Sequence, residues 1–292
     1  MAMLYHYTTA AGLLGMLKRD DNNKVVLRMR ATHSMYLNDP TEYQYGKMVC
    51  KRALMEVEEE LGIKENKFSE IIYDIDKEKS RDLLDFAFSA MPNKIKDGIP
   101  YVISLSKAKD NLSMWNTYAH NGNGIALGFS SHKLGYIDGI EVQDCYYDDI
   151  TESSFCKQYN ELKEKLRIQY GKRNEFTKFE ILDLILDTHI HILHKSFAPF
   201  IKHKGYKYEQ EVRCVVNGND RNIKFRESNG LIIPYIEQDI DINCLEKIII
   251  GPVLDSERML ASLTILLSNY GFLNAKKPTK DFIEISDIPY RG

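Results

Sequence analysis

Residues 206–216, YKYEQEVRCVV, decide how this chain is read. Taken as a β-strand, the stretch puts Glu209, Glu211 and Arg213 on one face, with Tyr208, Gln210, Val212, Cys214 and Val216 on the other. The second set is mostly apolar and suits a core. The first sets two like charges beside a cation. Such a trio is either a solvated sheet face or part of a cleft in which a carboxylate meets a developing positive charge.

The pattern on either side predicts more strands. MLYHYT (3–8), KVVLRMRAT (24–32), PYVISLS (100–106), GIALGFS (124–130) and IEVQDCYY (140–147) precede it. A hairpin in NIKFRESNGLIIPYIEQ (222–238), turning at Ser-Asn-Gly, CLEKIIIGP (244–252) and FIEIS (282–286) follow it. Helical periodicity marks 10–19, capped by Thr8 or Thr9, and 37–62, where Asp39, Pro40 and Glu42 form a helix start. It also marks 68–91, 110–122 and 255–271. From about 151 to 202 the strand signals stop and two helical stretches take over, an insert between β-rich halves. The fold class is therefore α+β, a single domain over 1–292 whose sheet is assembled from both ends of the chain.

Composition narrows the setting. Of 292 residues, 43% are hydrophobic and 28% charged, enough for a sizeable core, and the net charge of -3 gives no global drive toward nucleic acid or an anionic membrane. Five scattered cysteines without a C-x-x-C pair point to reduced thiols in a cytoplasmic protein. The N-terminus has no signal-peptide pattern, and no apolar run is long enough to span a bilayer.

No phosphate-binding G-x-x-x-x-G-K-[ST] loop, G-x-G-x-x-G turn or G-x-S-x-G elbow occurs. His189, His191 and His194 are read as helix packing, with no metal expected. Ser104 and Ser106 share a strand face with Val102 and need partners or a polar cleft, because a buried unpaired hydroxyl costs about 1–3 kcal/mol. Trp115 and Tyr118 stand one helical step apart, as core or as the floor of a pocket for a flat ring. Arg30 is the candidate for holding a phosphate.

The segments LYHYT, RATHSMYLNDPTE, YVISLSKAKDNLSMW, NGIALGF, FIKHKGYKYEQEVR and IIIGP together resemble a bacterial family labelled as a domain of unknown function. That family looks like a distant branch of the ADP-ribosyltransferase superfamily. The superfamily's signature runs from a histidine or arginine on the first strand, through S-x-S or a tyrosine, to a late E-x-E. Here the order is His6, Ser104-Leu105-Ser106 and Glu209-Gln210-Glu211. Two departures stand out: the chain mixes histidine with S-x-S, and it lacks a clear pair of spaced tyrosines to sandwich nicotinamide. The resemblance implies a split β-sheet core with a helical insert and NAD consumed as ADP-ribose donor. Glu211 would hold the ribose and Glu209 would orient the acceptor, with His6, Tyr7, Arg30, Ser104, Ser106, Trp115 and Tyr118 at the donor. The acceptor would be a protein or nucleic acid, in a toxin or anti-phage defence effector with an antitoxin or defence-system partner. An NAD glycohydrolase with the same cleft is one alternative. A non-catalytic module that binds nucleotides or nucleic acid is another.

Overall fold

The structure is a computed structural model that describes residues 2–37, 40–64, 67, 69, 100–149, 151–172, 197–216, 223–228, 230–253, 255–273 and 279–289. Its strands are β1 (Met3–Thr8), β2 (Leu17–Arg19), β3 (Val25–His33), β4 (Tyr101–Ser106), β5 (Ile125–Ser130), β6 (Ile140–Asp144) and β7 (Tyr146–Tyr147). They continue with β8 (Ile201–Lys202), β9 (Glu211–Val216), β10 (Ile223–Ser228), β11 (Leu231–Asp241), β12 (Leu245–Ile250) and β13 (Ile283–Ile285). The principal helices are α1 (Ala10–Met16), α2 (Pro40–Glu60), α3 (Leu112–Tyr118), α4 (Ser153–Lys172) and α5 (Ser256–Asn269). The α+β class holds, and strands from both ends of the chain enter one large mixed sheet.

That sheet forks at β4. A strand has two hydrogen-bonding edges. On β4, β9 takes one edge along its whole length, from Tyr101↔Val216 to Ser106↔Glu211. The other edge is divided. β3 pairs with it at Thr32↔Val102 and His33↔Tyr101, and β1 pairs with it at Tyr5↔Ser106. From there β3 leads on to β11 and β10, while β1 leads on to β5, β12 and β13. Between the two contacts β4 passes from one branch to the other, and the carbonyl of Ser104 lies in that interval. It is met by a side chain: His6 Nδ1 stands 3.1 Å from it.

Alternation along each strand fills the two faces differently. Leu4, Ile103, Leu105, Leu127, Phe129, Val212 and Cys214 point into the main core, closed by Leu13 of α1 and by Leu263 and Leu267 of α5. On the opposite face, Tyr5, Tyr7 and Ala126 pack beneath Met114 and Trp115 of α3. A second helical layer forms where α2 presents Val49, Ala53, Leu54 and Val57 to Phe155, Leu162 and Leu166 of α4. Inside this layer, buried Glu58 accepts hydrogen bonds from the Ser69 amide and from the Ser69 and Tyr170 hydroxyls, so the carboxylate is not left unsatisfied.

Several local readings match. Thr9 caps α1 by accepting from the Gly12 amide, and Gly230 closes the β10–β11 turn at φ 78°; the structure adds Asn111 as the cap of α3. Others need correction. The strand at YKYEQEVRCVV begins only at Glu211; residues Lys204–Glu209 form a 3-10 turn, ended by Gln210 in the left-handed region at φ 45°. Within 151–202, α4 is helical as expected, but Ile201–Lys202 is a strand, paired in parallel with β7. Asp39, the helix expected over 68–91 and the His189, His191 and His194 group lie outside the described residues, Ser69 excepted. Among the described residues no helix is long and apolar enough to cross a membrane.

Gly46 of α2 touches the main chain at Ala198, just before β8, and a methyl group there would overlap the Ala198 carbonyl. Gly46→Ala should therefore destabilise the protein by about 1–3 kcal/mol despite the better helix propensity of alanine. Chemical denaturation of the two proteins measures this.

Candidate functional site

A cavity of about 650 Å³ opens beside the fork. It falls within the range of roughly 300–1,000 Å³ common for small-molecule sites. His6 of β1, Arg30 and Thr32 of β3, Ser104 of β4, Tyr118 of α3, Lys202 of β8 and Glu211 and Arg213 of β9 all reach it. Residues far apart in sequence converge because the sheet face from β10 to β9 is continuous in register: Arg30 and Thr32, then Val102 and Ser104, then Glu211 and Arg213.

Four buried charges form its floor. Glu209, Glu211, Arg213 and Lys202 are all at most 7% exposed, which excludes a solvated sheet face for this stretch. Lys202 Nζ lies 2.5 Å from Glu209 Oε2 and 2.6 Å from Glu211 Oε2. Arg213 binds Glu211 bidentately, through Nε at 2.9 Å and Nη2 at 3.1 Å, and donates from Nη1 to the Pro199 carbonyl. Glu209 receives a hydrogen bond from the Tyr118 hydroxyl at 2.9 Å. Burial alone would raise the Glu211 pKa, but Arg213 and then Lys202 outweigh it and hold the carboxyl at about 2. Burial, and next the Glu209 charge, raise the Tyr118 hydroxyl well above its usual value, so it stays a donor.

The main chain carrying the two glutamates is pinned on all sides. The Ser106 hydroxyl donates to the Glu209 carbonyl at 2.5 Å, and the Lys107 amide donates to the Gln210 carbonyl at 3.0 Å. The Glu211 amide donates to the Tyr147 hydroxyl at 2.8 Å, and the Cys145 amide donates to the Glu211 carbonyl at 3.0 Å. Because Gln210 adopts a left-handed conformation, the two glutamates meet at one ammonium although they do not belong to one strand.

The expected donor residues divide into groups. His6 reaches the cavity, its pKa lowered by burial despite the Ser104 carbonyl beside it, so the ring is neutral near pH 7. Arg30 and Tyr118 line the cavity, as does the exposed Ser104. Ser106 is fully buried, and its hydroxyl is engaged by the Glu209 carbonyl and the Ala108 amide, which makes it a brace. Tyr7 lines the cavity but spends its hydroxyl on the Ala108 carbonyl and Asn111 amide, packing edge-on against Trp115. Trp115 needs correction: it is 0% exposed, bonded through Nε1 to Asp110, and lies behind Tyr7, not on the cavity wall. Burial wins because the indole fills the space under α3.

Two residues of the site are not among those expected from the sequence. Lys202 sits in a helix-like run, and its role appears only when β8 is brought against β9. Arg226 of β10 faces the cavity with a buried Nε that has no hydrogen-bond partner. On this sheet face Lys224 pairs with Glu237 and Arg28 with Asp239. Among the described residues, Arg30 and Arg226 form no ion pair; Arg30 lies over the Tyr235 ring at 5.2 Å. Among the described residues the cavity wall thus carries four cations, Arg30, Lys202, Arg213 and Arg226, against two carboxylates, a net charge of +2. Among the described residues no group of three or more His, Cys, Asp or Glu stands close enough to hold a metal ion.

A family described as "Protein of unknown function (DUF2971)" matches residues 114–214, from α3 through β9. The match takes in Tyr118, Lys202, Glu209, Glu211 and Arg213 and leaves out His6, Arg30 and Ser104. Comparisons with curated proteins and with solved structures return no match.

The charge cluster changes what Glu211→Gln should do. Two like charges on a bare strand would favour neutralisation, but here the change leaves Arg213 and Lys202 buried with too little negative charge. The variant should lose about 3–5 kcal/mol of stability. The Glu211 contribution is full above pH 4.5 and is lost as pH falls toward 2, since its folded pKa lies below its usual 4.5. Thermal melts across that window should therefore fall more steeply for the wild type than for the variant.

Proposed function

We propose that the cavity binds NAD and transfers its ADP-ribose to an acceptor nucleophile, as an ADP-ribosyltransferase. The observation that carries this reading is the division of charge along the cavity. At one end Lys202 and Arg213 balance Glu209 and Glu211. At the other, across β4, Arg30 and Arg226 have no anionic partner among the described residues. A diphosphate carries about the charge those arginines lack, and arginine forks suit its oxygens. The ribose then falls beside His6 and the glutamates, at the fork.

The chemistry follows from that placement. Breaking the bond from ribose to nicotinamide releases a neutral ring and leaves positive charge on the ribose carbon. A fixed carboxylate beside it stabilises that state more than the ground state. Glu211, ionised far below neutral pH, supplies the charge. Glu209, whose second oxygen faces Tyr118, stands where an acceptor's proton would be taken as its nucleophile attacks. Neutral His6, tied to the Ser104 carbonyl, offers its remaining ring nitrogen to a hydroxyl of the donor. Ser106 serves the main chain of Glu209 and the Ser104 carbonyl meets His6, an arrangement that suits a signature mixing histidine with S-x-S.

Incubation with NAD tests the reading. Free nicotinamide with labelled acceptor is expected; nicotinamide alone would mean a glycohydrolase, and neither product would remove the enzymatic reading. Per folded molecule, Glu211→Gln should lower nicotinamide release by roughly a hundredfold or more. Arg226→Ala should weaken NAD binding about tenfold or more in calorimetry, consistent with one lost charge-assisted contact.

A further inference from the structure

We propose that Lys202 is the positioning residue of this site, a single ammonium that bridges Glu209 and Glu211 and holds the two carboxylates side by side. The proposal deepens the ADP-ribosyltransferase reading and rests on it for its kinetic consequences, though not for its electrostatic ones.

The geometry is a bridge. Lys202 Nζ contacts one oxygen of each carboxylate, so those oxygens stand no farther apart than the two contacts laid end to end. Two carboxylates that close in a buried site do not both stay charged unless a cation lies between them. Arg213 does not do this for Glu209, because its guanidinium is held by Glu211 and the Pro199 carbonyl. Among the described residues, Lys202 is the one cation that contacts Glu209. Among the described residues the other groups facing the pair from neighbouring elements are hydroxyls: Tyr118 of α3, Tyr147 of β7, and Tyr206 and Tyr208 of the 3-10 turn. Arg30, Arg226 and His6 face the same cavity, the two arginines from across β4.

Lys202 is held for this work from behind. Its carbonyl accepts from the Asp148 amide at 2.9 Å, and its neighbour Ile201 is buried in the layer between α2 and α4. Its ammonium also lies 5.4 Å from the centre of the Tyr206 ring. The helical layer thus fixes one end of β8 while the other end delivers the charge. A residue that merely filled space would not need two anionic partners at 2.5 and 2.6 Å.

The test pairs a titration with kinetics. In Lys202→Met the carboxylate pair should take up one proton at a pH higher than wild type by roughly 1–3 units, read from the carboxyl band in infrared difference spectra. Nicotinamide release by this variant should fall at neutral pH and recover toward alkaline pH, and Lys202→Arg should keep the wild-type midpoint. An unshifted carboxyl titration in Lys202→Met would overturn the proposal. So would faster nicotinamide release, which would make Lys202 a plug that occupies the place of a substrate cation. If Lys202→Met does not fold, Lys202→Met/Glu209→Gln removes the surplus carboxylate and should restore folding; a double variant that still fails to fold would show a packing role and overturn the proposal. Should the wild type release no nicotinamide, the transferase reading falls while the infrared titration still decides the role of Lys202.

Discussion

A strand has only two edges, and β4 is asked to serve three neighbours. With β9 occupying one edge in full, β3 and β1 must share the other, and the sheet has to fork. Much of the cavity follows from that constraint. Diverging strands open a wedge between their branches, and a side chain from β1 reaches into it to meet the stranded carbonyl of Ser104. The first strand of the chain and the late strand that starts at Glu211 come together because both are bound to β4.

The charged floor of the wedge is costly by itself. Buried ion pairs of this kind are often no better for stability than apolar residues of similar shape, since each charge must be stripped of water. Four such groups, nearly free of solvent contact, are hard to account for by stability alone. They fit a site that needs fixed dipoles and charges aimed at a reacting centre. The cost is offset by the main-chain hydrogen bonds around 209–211 and by the bidentate grip of Arg213 on Glu211.

Local patterns carried much of the fold. Alternation in MLYHYT, VVLRMRATH and YVISLS marks strands whose faces sort as expected, and the cap at Thr9 is visible as a single letter. Glu209 and Glu211 were readable as a pair, but for a reason that proved incomplete. Period-two spacing suggests one strand face, whereas a turn, a left-handed residue and a strand start bring them together. Lys202 and Arg226 were not legible as site residues, because the first meets its glutamates only through the 3-10 turn and Gln210, and the second has no anionic partner among the described residues. Trp115 shows the converse: its spacing from Tyr118 is right for a pocket, and only the depth of packing under α3 decides that it belongs to the core.

The left-handed Gln210 has a consequence for how the E-x-E element tolerates change. In a strand, the middle residue of such a triplet points away from its neighbours and is free to drift with the core it faces. Here the middle residue is a hinge pin. Its side chain is exposed, yet its backbone dihedrals set the angle between the two carboxylates. Glycine, asparagine or aspartate would keep that angle at little cost, while valine or isoleucine would press the main chain toward an extended form. The informative letter in Glu-Gln-Glu is therefore the one that carries no charge, and a pattern search that leaves it as any residue discards the feature that brings the two acids together.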